Sequence, residues 1–358
     1  MRHANAGATS LPPSKRRPHI VIMLFCDAPI ALLRWGSKMR VSDRIGRNIK
    51  LHDLHVLIAV VQIGSMSKAA AILHTTQSAI SRSIADLEHA FGVRLLDRSN
   101  QGVEPTKYGL ALLDGGATVF DDLRQTVKNI EFLVDPTIGE VRVGAPDPII
   151  IGVLPAVING LRRKYPGISI QVIPVIPNEL QLRDLRERKI DFLFGRILPR
   201  LDDDIHSEVL FHDRLVIAAG PGCKWARQRN VDLSELAGRP WALQRRDTFL
   251  SPLIADAFRA LGLKFPPVGA VEGPSSLISA LLAKGPFLST FIASVLQFSP
   301  SLPRLKVLPV DLPVPPWPTG IMMLANRTRT PVVQLFIDCA RQIVKPLANE
   351  SYKPAKTG

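Results

Sequence analysis

Gln77, Ser78, Ser81 and Arg82 bring an amide, two hydroxyls and a guanidinium close together in the chain. A slender polar helix face led by amides and hydroxyls can reach base edges in a major groove, with its amide end toward phosphate. Arg98 stands beside a short candidate hairpin, a place suited to phosphate or to a narrow minor groove. The competing readings are a plain amphipathic surface helix and an Asp97–Arg98 surface pair. No GxGxxG, P-loop, HExxH or GxSxG stretch occurs in a fitting context, and no Ser, His and Asp line up as a triad. No enzyme, metal centre or cofactor is therefore expected. Cys26, Cys223 and Cys339 cannot build a disulfide framework. A redox pair of Cys223 and Cys339 lacks a flanking basic motif, so incidental cysteines are expected. His52 and His55 share a helix and are expected to face solvent.

These residues need elements that hold them. Leu51, Leu54, Leu57, Ile58 and Val61 recur at helical spacing, and Gly64 ends that helix. Ser65 can cap a second helix through 68–73, whose alanines allow close packing. Residues 74–76 form a short turn, with Thr75 or Thr76 capping a third helix. There Ile80, Ile84, Leu87 and Phe91 are spaced four, three and four, which confines them to about 60° of arc. Ser78, Arg82, Ala85 and His89 fall opposite, with Gln77 and Ser81 on the flanks. The turn at 99–102 joins two short strands into a wing. A long helix follows from 107 to about 134. Leu113, Gly116, Phe120, Leu123, Val127, Ile130 and Val134 form a heptad seam that predicts pairing with a second copy, a helix lying on its own domain being the alternative. The pair Gly115-Gly116 is a weak point, costing ~1–2 kcal/mol relative to alanine.

The run Gly64-Ser65-Met66-Ser67-Lys68-Ala69-Ala70, then Leu73, Gln77 to Ile84, Leu87-Glu88, Gly92, Leu95-Leu96, Arg98 and Thr106 with Gly109 resembles the N-terminal domain of LysR-type transcriptional regulators. Met66, Ala79 and Leu95-Leu96 depart from the family pattern, all at apolar packing positions. Position by position, the resemblance implies DNA contacts from Gln77, Ser78, Ser81 and Arg82, supported by Ser65, Arg98 and Thr106.

Beyond a hinge-like break at 135–139, strands and helices alternate: strands at 141–144, 168–173, 190–195 and from 215, helices at 151–164, 179–188, 251–261, 276–283 and 331–346. That order predicts a parallel α/β sheet. It also resembles the LysR effector domain, which implies two α/β lobes of periplasmic-binding-protein type with a cleft between them. The crossings are expected near 209–219 and 310–322. The expected fold class is thus α + α/β: a winged helix–turn–helix (49–106), a linker helix (107–137) and a two-lobed effector domain (138–346), with a tail at 347–358. A ligand in such a fold sits at strand C-termini between lobes. The lining residues expected there are Ala145, Pro146, Asp147, Asn178, Arg196, Gln244, Arg245, Ser275 and Ser289. Arg196 and Arg245 could hold a carboxylate bidentately, with a surface position for either as the alternative. The joint Ala145-Pro146-Asp147-Pro148 lacks the family's usual Ser or Thr, and Pro286 departs from a segment that is usually Gly-rich.

The 358 residues carry a formal net charge of +14. Residues 1–50 carry +8, whereas 51–110 net zero, so bulk basicity does not argue for DNA binding by the latter. Residues 1–38 admit three readings: an artefact upstream of a start at Met39, a disordered tail, or a signal or anchor. The expected protein is a cytoplasmic regulator acting without a membrane. Its expected partners are double-stranded DNA, a small-molecule effector such as a carboxylate, further copies of itself as a dimer of dimers, and RNA polymerase. The rival classes are a solute-binding protein and an α/β enzyme without a DNA role.

Overall fold

A computed structural model describes residues 49–99, 102–176, 181–246, 248, 250–265, 270–299 and 305–349. The expectations for residues 1–48, for Asn178 and for the tail from 350 lie outside the described residues. The chain divides into two compact units at Thr106/Lys107, described in turn.

In the first unit three helices, α1 (Leu51–Ile63), α2 (Met66–Ile72) and α3 (Gln77–Phe91), precede a hairpin of β1 (Leu96–Ser99) and β2 (Gly102–Pro105). Leu54, Leu57 and Val60 of α1 are buried with Ala69 and Ala70 of α2 and with Ile80, Ile84 and Leu87 of α3. Ala90 completes the buried side of α3, and Phe91 is only half-buried. Ser65 accepts the Lys68 N–H at 3.4 Å and Thr76 the Ala79 N–H at 3.2 Å. Each supplies an oxygen to a backbone donor that the helix itself leaves unpaired.

The second unit opens with α4 (Lys107–Val134), which runs unbroken through Gly115-Gly116. The first lobe comprises β3 (Ile138–Ala145), α5 (Asp147–Ile151), α6 (Val153–Lys164), β4 (Gly167–Pro174), α7 (Arg183–Arg186), β5 (Phe192–Arg196) and β6 (Ile205–Asp213). The second comprises β7 (Leu215–Ala219), α8 (Leu233–Ala237), β8 (Ala242–Leu243), α9 (Leu250–Ala260), β9 (Val271–Glu272), α10 (Ser275–Lys284), β10 (Leu288–Ile292), α11 (Ala293–Phe298) and β11 (Lys306–Val307). The chain then returns to the first lobe with β12 (Trp317–Leu324) and α12 (Pro331–Asn349).

The first-lobe sheet has the order β4-β3-β5-β12-β6. Strands β4, β3 and β5 are parallel, and β12 runs antiparallel to both β5 and β6. Phe192, Phe194 and Ile321 of this sheet are buried with Val157 of α6 and Phe336 of α12. The second lobe buries Ile217, Trp241, Phe258, Ile278 and Phe291 around the sheet β10-β7-β11. The buried Trp241 satisfies its indole N–H on the Leu236 carbonyl at 3.0 Å.

Two expectations need correction. The sheet β10-β7-β11 is antiparallel, and only the short pair β8-β9 in this lobe runs parallel. The helix expected at 151–164 is present as α6, begun at Val153, and a short unexpected helix, α5, precedes it across a break at Gly152. A Cβ there would lie 2.8 Å from the Pro148 carbonyl oxygen and 3.1 Å from Val295 Cα, so the break lets α11 approach the first lobe. Of the helix expected at 179–188, the described part holds only Arg183–Arg186. The crossings agree with expectation: Arg214 alone separates β6 from β7, and the second return occupies the segment between β11 and β12.

Candidate nucleic-acid interface and effector cleft

Burial of Ile80, Ile84 and Leu87 turns the other side of α3 outward. Gln77, Ser78 and Arg82 are exposed, as are Ala85 and His89, and Ser81 is half-buried. The Ser78 hydroxyl lies 3.0 Å from that of Thr76, so the α3 N-terminus carries two adjoining hydroxyls. Ser65 serves first as the α2 cap, 3.1 Å from the Ser67 hydroxyl. Arg98 is exposed on β1. Thr106, half-buried, donates its hydroxyl proton to the Arg94 carbonyl at 2.8 Å. Sequence reasoning passed over Lys68, exposed on α2, and Arg94, exposed before the wing. A cation on a polar helix face was the available signal for Lys68.

In the second unit α4 has two different sides. Asp121 and Gln125 are buried against the first lobe, with Phe132 at the edge of its core. Leu123, Val127, Ile130 and Val134 of the heptad seam are exposed, while Leu113 and Phe120 are half-buried and Gly116 is buried. The helix therefore lies on its own lobe and also presents an apolar stripe.

The residues expected to line a cleft in the first lobe are neighbours, with Ala145 and Pro146 buried. Ala145 ends β3, Pro146 opens α5, and Arg196 ends β5. An atom in place of a Gly195 hydrogen would meet the Pro146 ring at 3.3 Å, which places that ring beside the end of β5. The Arg196 guanidinium lies 5.7 Å from the centre of the Trp317 ring, within cation–π range. Burial pushes its pKa below the ordinary arginine value. Asp147 is exposed in the first turn of α5. In the second lobe Gln244 donates to the Thr290 carbonyl at 2.8 Å and accepts from the Thr290 hydroxyl at 3.2 Å, tying the end of β8 to β10 beside the buried Ser289. Ser275 starts α10, and Arg245 is exposed. A cavity of about 1010 Å³ lies elsewhere, lined by Asp213, Leu215, Leu308, Val310 and Leu312 at the crossings, and holds none of the expected cleft residues.

Cys223 and Cys339 are free thiols. Burial pushes the Cys339 thiol up, away from the reactive thiolate. Among the described residues no three His, Cys, Asp or Glu side chains cluster to hold a metal ion. No single described helix is long and apolar enough to cross a membrane.

A winged helix–turn–helix joined to a two-lobed α/β domain defines a DNA-binding regulator with a ligand-binding module. Residues 51–110 match the family described as "Bacterial regulatory helix-turn-helix protein, lysR family", and residues 135–345 match "LysR substrate binding domain". The chain belongs to the LysR family of transcriptional regulators. It is 27% identical over 287 residues to the HTH-type transcriptional regulator GbpR of Azospirillum brasilense, covering 79% of this chain and 83% of that one. It is 26% identical over 301 residues to the transcriptional dual regulator GltC of Bacillus subtilis, covering 84% and 99%. Its fold is similar to that of a full-length OxyR variant from Pseudomonas aeruginosa (TM-score 0.56, 18% identity, 85% and 99% covered) and of CbnR, a LysR family transcriptional regulator (TM-score 0.51, 21% identity, 82% and 99% covered). The protein is thus a transcriptional regulator that binds DNA through its helix–turn–helix and carries an effector-binding domain.

Proposed function

We propose that α3 reads base edges with Gln77, Ser78, Ser81 and Arg82, that Ser65, Arg98 and Thr106 support it along the phosphates, and that two copies joined through α4 read successive half-sites. Two such dimers assemble into a tetramer in the cytoplasm and act on RNA polymerase. The working boundaries are 49–106 for DNA binding, 107–137 for pairing and 138–346 for the effector. A small carboxylate held by Arg196 and Arg245 biases the lobes toward one of two assemblies, which is allostery by differential binding.

The observation that carries this reading is the sidedness of α3, with Ser78 and Arg82 exposed and Ile80 and Ile84 buried. Its test is a gel-shift titration at fixed salt on the duplex that the wild-type protein selects from a randomised pool. Arg82→Ala should weaken binding by ~1–3 kcal/mol if Arg82 contacts a base. Unchanged affinity discards that role.

A further inference from the structure

The wing does not hang free of the helices. On the outer edge of β2 the Val103 N–H donates to the Gly64 carbonyl at 3.1 Å, at the turn between α1 and α2. Its neighbour Gly102 has φ +137°, a backbone conformation that L side chains rarely adopt, and a Cβ there would lie 2.9 Å from that same Gly64 oxygen. The close approach and the dihedral both require glycine. At the base of the hairpin a Glu88 carboxylate oxygen accepts the Leu95 N–H at 2.8 Å and the Leu96 N–H at 3.3 Å. The Thr106 N–H closes the base on the Leu95 carbonyl at 2.9 Å. Arg98 stands directly opposite Val103 in the hairpin register, so whatever fixes Val103 fixes the place from which Arg98 reaches out.

We propose that Gly102, with Glu88 at the hairpin base, is a positioning residue for DNA recognition: it seats β2 on the Gly64 carbonyl and so aims Arg98 at the phosphate backbone. A side chain at 102 pushes β2 off that carbonyl and carries Arg98 out of reach, while the packed core of α1, α2 and α3 stays intact. The proposal rests on Arg98 meeting phosphate, and it concerns the wing alone.

The test is a double-mutant cycle in the full-length protein, on the duplex that wild-type protein selects from a randomised pool, with affinity measured across a salt series. Each phosphate contact contributes about one unit to the slope of log affinity against log salt. Arg98→Ala should flatten the slope by about one unit. Gly102→Ala should flatten it equally, with the helical circular dichroism retained, and the double variant should lose no more than either single one. A merely structural role would leave the Arg98 contribution intact, so full additivity overturns the proposal, as does a wild-type slope for Gly102→Ala. A wild-type slope for Arg98→Ala overturns it at the level of Arg98, and Arg82→Ala, measured in the same series, then reports separately whether α3 reads DNA. Should Gly102→Ala fail to fold, Glu88→Ala, which removes the acceptor of the Leu95 and Leu96 N–H groups, takes its place in the cycle with the same expected pattern.

Discussion

Asp121 of α4 takes the guanidinium of Arg327 across both carboxylate oxygens, 2.7 Å from Nε to Oδ2 and 3.0 Å from Nη2 to Oδ1. Arg188 adds a third bond at 2.8 Å, and no part of the Asp121 side chain reaches solvent. The same Arg327 lies 3.0 Å from Asp191, which Arg142 holds through both its backbone and its side chain. Two carboxylates and three guanidinia thus fasten the middle of the linker helix to the first lobe.

Removing Asp121 should be expensive. Burial pushes its carboxyl up, but Arg327 and Arg188 outweigh this and hold it below the usual carboxylate range. Breaking a buried pair leaves charges uncompensated, at ~3–5 kcal/mol. Asp121→Asn should lower the unfolding free energy by about that amount at neutral pH. A depressed pKa stabilises above the unfolded value and is lost on acidification, so the gap between the two proteins should close as pH falls below about 4. Denaturant titrations at several pH values measure it.

Asp213 should behave in the opposite sense. It is buried where β6 hands over to β7, and burial raises its pKa to about 6 despite bonds from the Ser294 hydroxyl and from the N–H groups of Ser294 and Arg214. A raised carboxyl pKa favours the fold below the unfolded value, and that advantage disappears as pH rises through about 6. Relative to Asp213→Asn, the wild-type protein should lose on the order of 3 kcal/mol between pH 4 and pH 7. A pH-independent difference between the two would reject the shifted carboxyl.

The open side of α4 predicts self-association. Val127 and Ile130 are more than half exposed, and a charge at either is incompatible with an apolar seam. Wild-type protein should sediment as a multiple of 39.3 kDa, and the double variant Val127→Asp, Ile130→Asp should move toward that single mass. A wild-type chain already monomeric at micromolar concentration would remove the seam.

Arg196 predicts the ligand class. In a thermal-shift panel of small carboxylates, any compound that raises the wild-type melting temperature should fail to raise that of Arg196→Gln. Equal shifts in both proteins would place the anion elsewhere.

Much of the interface was legible because a helix reports its buried side at a fixed period. Ile80, Ile84 and Leu87 marked the core, and Gln77, Ser78 and Arg82 followed as its complement. The end of that stripe was misjudged by one residue, Ala90 rather than Phe91, since the last turn packs as its neighbours allow. The Asp121 cluster was illegible for a different reason. Its partners stand 67 and 206 positions away, and no periodicity links residues so far apart. Likewise the break at Gly152 answers to Val295, a tertiary contact without a local signature. The linker lay between these cases: spacing picked out its apolar positions, but not that Gly116 is covered while Leu123 is open.

Leu133 and Val134 remain 78% and 82% uncovered at the far end of the stripe. A surface that oily gains from meeting its like, and the gain follows mass action. On the pairing proposed above, the number of copies a cell makes becomes an input in its own right: scarce chains would stay single and wet, and abundant ones would find each other before any signal arrives.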